Sequence, residues 1–317
     1  MTQRRDERPD GPAHLPAAPL RRLVGRLRRL DPAVRGMLWA MSAGAVFSVL
    51  NALLRTLAMQ LDPMQTQFLR YVFGCVVLLP LVLRGGVAAY LPRRIGGQFA
   101  RGFVHTVGLG LWFTALPHVP MADMTALSFT GPIFLMIGAF LFFREPMRWD
   151  RWAAALAGFA GVLLVVGPRL SGEGGHYHLV MLLASPVFAA SVLLTKSLTR
   201  NESAGVIVVW QAITVSVFSL PLALGNWQPV SGWQWAGFAA CGVLGSVGNY
   251  CQTRALHVTD VSATQPVRFL DLVWASVLGW LMFADIPGIN AIAGGLVIGV
   301  ATLWIARREA GQGGRRG

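Results

Sequence analysis

The sequence predicts an all-α integral membrane protein, with ten transmembrane helices arranged as two inverted five-helix repeats. Three observations support this fold class: ten apolar stretches of about 20 residues, an alternation of positive charge between the intervening loops, and an internal repeat at an offset of about 140 residues. Hydrophobic residues make up 54% of the 317 residues and charged residues only 13%, a balance that favours the membrane over a soluble domain.

Each apolar stretch is close to the length that crosses about 30 Å of hydrocarbon. The predicted spans are 36–57, 64–84, 98–117, 121–143, 150–167, 178–197, 204–225, 233–254, 261–283 and 287–306. The connections between them are short, so no sizeable soluble domain lies between spans. The chain therefore divides into a basic N-terminal tail (1–35), a first repeat (36–167), a second repeat (178–306) and a C-terminal tail (307–317).

The formal net charge of +13 is distributed in a way that indicates membrane orientation and argues against nucleic-acid binding. Nine arginines precede the first span, and the even-numbered loops carry most of the other arginines and lysines. The odd-numbered loops hold Arg169 alone. Because positive residues concentrate in cytoplasmic loops, this alternation predicts a multi-pass protein of the inner membrane with both termini in the cytoplasm.

The two halves of the chain match in register over most of their length. The matched pairs are Phe47 with Phe188, Gly108 with Gly248, and Glu145 with Asp285, among others. Each half contains five predicted spans, so the second half enters the membrane in the opposite orientation. Inverted repeats of this kind are the architecture of secondary transporters, whose substrate sites lie near the bilayer midplane between the halves.

The matched segments also resemble a known family. The stretch ALPHVPMADMTALSFTGPIFLMIGAFLFFREPMRWDRWAAALAGFAGVLLVVG is similar to the end of an EamA repeat of the drug/metabolite transporter superfamily, with a mid-helix Pro132 and a Phe-x-x-Glu-Pro motif that contains Glu145. In the second half Asp285 replaces the glutamate, and the proline is Pro266, earlier in its helix. The resemblance covers about 36–306. It implies transport of amino acids, nucleosides or drugs, and QPVRFLDLVWASVLGW resembles the branch that carries S-adenosylmethionine.

Polar residues inside the spans indicate which helix faces avoid lipid. Arg70 and Arg268 each lie six to eight residues inside an apolar stretch. At that depth a guanidinium costs roughly several kcal/mol unless it faces a polar cavity or a partner. We predict that both bind substrate. The other predicted substrate-binding residues are Asn51, Trp112, Ser128, Trp210, Tyr250, Gln265 and Asp271.

Two interpretations of Arg268 follow from its spacing. Arg268 and Asp271 are three residues apart on one helix, so they can form an ion pair that only stabilises the helix. Alternatively, Arg268, together with Arg70, presents its donors to a substrate carboxylate or phosphate, and Asp271 orients Arg268 or takes a proton. Asp271 and His105 are the candidates for proton coupling. Arg70 has no acidic residue within a helical turn, so any partner comes from elsewhere.

Motifs for catalysis, nucleotide binding and metal binding are absent, so the sequence predicts neither an enzyme nor a cofactor. It predicts a secondary transporter, monomeric or homodimeric, that exports a small amino-acid-like, anionic or zwitterionic metabolite across the lipid bilayer. The alternative within this class is uptake of a nucleoside-like metabolite such as S-adenosylmethionine. The alternative from another class is a lipid scramblase or a membrane enzyme.

Overall fold

The computed structural model describes residues 31–115, 131–145, 149–166 and 175–268, and isolated positions after residue 268. All regular structure in these residues is helical, which confirms the all-α class. The α-helices are α1 (Pro32–Ala58), α2 (Pro63–Gly85), α3 (Ile95–Ala115), α4 (Gly131–Phe143), α5 (Trp149–Val166), α6 (Gly175–Leu198), α7 (Ala204–Ala223), α8 (Gly232–Val258) and α9 (Val261–Arg268). Short 3-10 helices cover Val87–Tyr90 and Leu224–Asn226.

The helices occupy the predicted spans wherever those spans are described. The first part of the fourth span and nearly all of the tenth lie outside the described residues, so the number ten stays a prediction. Four described helical segments are long and apolar enough to cross a membrane: Pro32–Ala58, Pro63–Gly85, Leu179–Leu198 and Ala204–Asn226. Helices α3 and α8 are not among these four, because glycine and polar residues make them less apolar.

The first two helices begin at the same local signal, an aspartate followed by a proline. The Asp31 carboxylate accepts a hydrogen bond from the backbone N–H of Ala33 at 2.8 Å, and Asp62 accepts one from Met64 at 2.8 Å. The proline at the first helical position lacks the N–H that would otherwise need a partner there. These caps explain why the chain can turn within four residues between α1 and α2.

Helix packing follows a two-fold pattern that relates the two halves. Helix α1 packs along α8, and α3 packs along α6, while α2 packs along α7 and α4 against α9. The symmetry exchanges each helix of the first half with the helix five positions later, so that α1 and α6 change places, as do α3 and α8. The pair α1–α8 then becomes the pair α6–α3. The pairs α2–α7 and α4–α9 become themselves. The packing therefore repeats the internal symmetry of the sequence, as the two-repeat fold requires.

Two of the matched residue pairs meet across these symmetric interfaces. A Cβ atom added to Gly248 of α8 would lie 2.8 Å from Cε1 of Phe47 on α1. A Cβ atom added to Gly108 of α3 would lie 3.0 Å from Cδ1 of Phe188 on α6. Each phenylalanine thus packs against a glycine of the facing helix, and the small residue lets the two backbones approach closely.

The described connections between helices lie at two opposite ends of the bundle. At one end, the backbone N–H of Arg94 donates to Oε1 of Glu202 at 2.9 Å, and Lys196 Nζ donates to the carbonyl of Thr259 at 2.6 Å. At the other end, Gln65 exchanges two 2.8 Å hydrogen bonds with the backbone of Gln228. We call the first the basic end; Arg84, Arg93, Arg94, Arg144 and Arg200 lie there.

Helix α1 starts at the basic end and α6 finishes there, so these two symmetry-related helices run in opposite directions. This is the arrangement that an inverted repeat produces. The signature residue Glu145 also acts at this end, where its carboxylate accepts a hydrogen bond from the N–H of Val261 at 2.9 Å. It satisfies one of the free donors in the first turn of α9 and so ties the end of α4 to the start of α9.

Gly242 provides a test of the close approach between α2 and α8. A Cβ atom at Gly242 would lie 2.7 Å from both the carbonyl carbon and the oxygen of Phe73, which are backbone atoms and cannot rotate away. We expect Gly242→Ala to lower the free energy of unfolding by about 1–3 kcal/mol. Gly110→Ala is the matched control, because nothing lies within 4 Å of a Cβ atom there. Thermal unfolding of both purified variants in detergent measures the difference, and equal melting temperatures would contradict it.

Candidate functional site

Two polar cavities lie inside the helix bundle. The first is enclosed by α1, α6, α8, α9 and the helical position Asp271 that follows α9. Its lining includes Gln252, Thr264, Arg268 and Asp271, and the remaining residues, mostly from α1, are small or apolar. The volume open to the centre of a water molecule is about 20 Å³, which accommodates one or two waters.

Arg268 and Asp271 form an ion pair within this first cavity. Nε of Arg268 lies 4.0 Å from Oδ2 of Asp271, and about a third of each side chain is exposed. The predicted i, i+3 pair is therefore present. Its two charges largely cancel, so the cavity offers a guanidinium and a carboxylate side by side and carries no net positive charge.

A glycine on α1 makes room for this ion pair. A Cβ atom added to Gly44 would overlap Oδ1 of Asp271, so any larger residue would displace the carboxylate. Asp271 consequently lies directly against the backbone of α1. Movement of α1 relative to α9 would change the surroundings of this carboxylate.

The second cavity contains Arg70 and lies between α2, α7 and α8. Its polar lining consists of Arg70, Tyr71, Ser246 and Asn249, and its walls include Gly74, Gly242 and Gly245. Arg70 is 8% exposed, and its guanidinium carbon lies 4.8 Å from the centre of the Tyr71 ring. Arg70 and Arg268 thus line separate cavities, and the structure does not bring them together around one substrate group.

Arg101 is a third buried arginine, and its role is different. It lies in α3 and is 5% exposed. Its guanidinium donates to Oγ1 of Thr195, to Oε1 of Gln211 at 2.7 Å and to the carbonyl of Ile207 at 3.3 Å. These bonds connect α3 to α6 and α7, so Arg101 holds these helices together, and each of its three guanidinium nitrogens donates one hydrogen bond.

His105 of α3 is half-buried and faces α2 and α6. Its Nε2 is 2.9 Å from the hydroxyl of Tyr71 on α2, and its Nδ1 is 3.2 Å from the hydroxyl of Ser191 on α6. Both ring nitrogens therefore have hydrogen-bonding partners, and His105 does not line either cavity. Of the two predicted proton-coupling residues, only Asp271 faces a cavity.

Four of the other predicted binding residues have described side chains, and none of these four lines either cavity. Trp210 donates a hydrogen bond from Nε1 to the carbonyl of Tyr90 at 2.8 Å, which attaches α7 to the connection between α2 and α3. Trp112 packs edge-on against Phe113, with ring centres 4.9 Å apart. Asn51 is exposed on α1.

Tyr250 lies on the outer side of α8, where it is 41% exposed and contacts Trp39 edge-on at 6.2 Å. Ser128 and the side chain of Gln265 lie outside the described residues, although the backbone at position 265 belongs to α9.

On α8 the sequence-based prediction selects Tyr250 and not its polar neighbours Asn249 and Gln252, which line the cavities. The signal that identifies them is helical spacing: Gly245, Asn249 and Gln252 recur at i, i+4 and i+7 on one face, and Tyr250 falls on another. Ser246 next to this face was also missed. Among the described residues there is no group of three or more histidine, cysteine, aspartate or glutamate side chains that could hold a metal ion.

A bundle of apolar helices with two-fold related packing and polar cavities between its halves defines a membrane transporter of the inverted-repeat class. Comparison with protein families identifies the transporter family. The model of the EamA-like transporter family matches residues 34–167 and again residues 176–307, so the chain belongs to this family. The resemblance inferred from the sequence is thereby confirmed.

Curated relatives align along most of their length. A riboflavin transporter of Rhizobium johnstonii is 34% identical over 87% of this chain and 92% of the relative. An S-adenosylmethionine uptake transporter of Rickettsia prowazekii is 27% identical over 87% and 94%, and a pseudopaline exporter of Pseudomonas aeruginosa is 29% identical over 89% and 99%. One solved crystal structure shares the fold, with a TM-score of 0.74 at 18% identity over 87% of this chain and 98% of that one.

Proposed function

We propose that this protein is a secondary transporter of the inner membrane, with both termini in the cytoplasm, that moves a heterocyclic metabolite carrying a hydroxylated or zwitterionic side chain. Ten helices form its two inverted repeats, 36–167 and 178–306, with tails at 1–35 and 307–317. Transport proceeds by alternating access without catalysis, and no cofactor takes part. Riboflavin is the first substrate to test, and S-adenosylmethionine is the second.

The observation that carries this proposal is the Arg268–Asp271 ion pair in the first cavity. A paired guanidinium and carboxylate offer donors and acceptors together, so they suit a neutral polar or zwitterionic solute better than a simple anion. The sequence-based preference for an anionic substrate depended on two unpaired arginines acting together. Riboflavin is an uncharged polyol attached to a heterocycle, and relatives named for riboflavin and S-adenosylmethionine both handle heterocyclic metabolites of this kind.

The small volume of the first cavity suits a conformation of the transport cycle in which the substrate site is closed. A space for one or two waters cannot hold a metabolite, so α1, α6, α8 and α9 must separate for the substrate to enter. The cavity lies between helices of both halves, as alternating access requires. Asp271 lies against Gly44 of α1, so separation of these helices would expose this carboxylate, which makes it the proposed proton-coupling residue.

Transport by purified full-length protein in liposomes tests the substrate and the direction together. With labelled riboflavin and an imposed proton gradient, we expect saturable accumulation that excess unlabelled riboflavin abolishes. Gradients of both orientations are applied, because one relative is named for uptake and another for export, and the sequence-based prediction is efflux. If S-adenosylmethionine accumulates and riboflavin does not, the second substrate replaces the first. If neither accumulates above protein-free liposomes, the proposed substrate class is wrong.

A further inference from the structure

The guanidinium of Arg70 has an unusual environment for a buried charge. The side chain is 8% exposed, and its Nε has no hydrogen-bonding partner. Among the described residues, its guanidinium carbon lies 4.8 Å from the centre of the neighbouring Tyr71 ring, whose hydroxyl is already paired with His105. Buried charged groups in proteins are nearly always paired or hydrogen-bonded, because an isolated charge in a medium of low dielectric is costly.

No carboxylate in the part of the chain that the structure describes lies beside Arg70. Those carboxylates sit at helix ends or, in the case of Asp271, in the first cavity. They belong to Asp31, Asp62, Glu145, Asp150, Glu202, Asp260 and Asp271. The nearest aspartate along α2 is Asp62, which caps the beginning of the helix two turns away. The positive charge of Arg70 is therefore not neutralised by the described residues around it.

The surroundings of Arg70 offer further polar groups and little space. Ser246 and Asn249 line the same cavity, and Gln67, one turn before Arg70 on α2, has neither amide atom hydrogen-bonded within the described residues. Gly242 and Gly245 keep the opposite wall free of side chains, and Gly74 does the same on α2 itself, one turn after Arg70. The volume open to the centre of a water molecule is about 10 Å³, which is close to the minimum that holds one particle of that size.

We propose that this second cavity binds a small inorganic anion such as chloride between Arg70 of α2 and the polar groups of Ser246 and Asn249 on α8. The anion supplies the missing countercharge and accepts hydrogen bonds from the guanidinium, the hydroxyl and the amide. It joins α2 to α8, and it is separate from the metabolite, which binds beside Arg268 and Asp271. This site does not depend on the proposed substrate, so each proposal can fail without the other.

Thermal unfolding of the purified full-length protein tests the anion site. Sodium chloride replaces sodium gluconate at constant ionic strength, so that general screening does not change. We expect a saturable rise in Tm of about 2–4 °C for the wild type and for Arg268→Gln, the matched control in the other cavity. Arg70→Gln should show no rise. The proposal is overturned if the wild type does not respond, or if Arg70→Gln responds as strongly as the wild type.

A parallel titration with sodium acetate separates a free anion from the anionic group of a larger solute. If acetate raises Tm and chloride does not, the site accepts a carboxylate from the transported solute, and the free-anion proposal is overturned. If chloride acts alone or more strongly, the cavity takes a free inorganic anion, as proposed.

A pair of variants at Gly245 keeps the test decisive even if Arg70→Gln fails to fold. A Cβ atom at Gly245 would lie 3.6 Å from Nε and 3.8 Å from Nη2 of Arg70, which is ordinary contact. Gly245→Asp therefore adds a covalently attached anion beside Arg70, and Gly245→Asn adds the same shape without charge. We expect a higher Tm for the aspartate variant in gluconate, with no response to chloride. Equal Tm values for the two variants in gluconate would overturn the proposal.

Discussion

Arg268→Ala is expected to reduce transport at subsaturating substrate by about 10- to 100-fold, while the protein still inserts and purifies. A hydrogen bond from a charged group contributes about 1.5–3 kcal/mol, which corresponds to one or two factors of ten. The side chain lines the first cavity and is paired with Asp271, so its removal takes away the only charged donor among the residues described around that cavity. Transport into proteoliposomes measures the effect, with the exposed Arg84→Ala as the matched control.

The double variant Arg268→Ala/Asp271→Ala separates binding from a purely structural ion pair. If the pair only stabilises the helix that carries it, removal of both charges restores the thermal stability and the substrate affinity that the single substitution loses, since no unpaired carboxylate remains beside Gly44. If Arg268 contacts the substrate, the double variant folds normally and still binds substrate weakly, a readout that does not require proton coupling by Asp271. Full activity in the single variant would remove Arg268 from the site.

Arg101→Met is expected to cause the largest loss of stability, about 2–4 kcal/mol. Methionine has a similar length and no donors, so Thr195, Gln211 and the carbonyl of Ile207 each lose a hydrogen bond in a buried location. Because these acceptors belong to α6 and α7, the loss loosens both helices from α3. The thermal unfolding of the purified protein and its monodispersity in detergent measure the change.

Two further variants define what Arg101 contributes. Arg84→Met removes an exposed arginine from the end of α2 and should leave Tm unchanged. Arg101→Lys keeps the charge, but all its donors lie on one nitrogen and cannot reproduce the three bonds made from three separate guanidinium nitrogens, so we expect its Tm between those of wild type and Arg101→Met. A wild-type melting temperature for Arg101→Met would show that the three hydrogen bonds do not stabilise the bundle.

The sequence was sufficient for the fold class and for the relation between the halves, because hydrophobic length, loop charge and in-register matches are local properties of the chain. The pairs Phe47–Phe188 and Gly108–Gly248, found as matches along the sequence, reappear as two equivalent phenylalanine–glycine contacts. The Arg268–Asp271 pair could also be predicted, since residues three apart on a helix share a face.

The assignment of polar residues to cavities needed the tertiary structure. Three arginines look alike in the sequence: Arg70, Arg101 and Arg268 each lie within a helix of a membrane bundle. The structure gives Arg101 three acceptors on neighbouring helices, pairs Arg268 within its own helix, and leaves Arg70 facing a small cavity. The helices that face Arg70 and Arg101 belong to the other half of the chain. A helical repeat pattern relates only residues that are close in sequence, so it cannot identify these neighbours.

What the sequence determined by itself is therefore the class of the molecule, an inverted-repeat membrane transporter. What the tertiary structure decided is which of those residues share a cavity. The physical reason is that the cost of a buried charge depends on the atoms within a few ångströms of it. In this bundle those atoms belong to helices on both sides of the repeat boundary, and their positions follow from packing rather than from any local pattern.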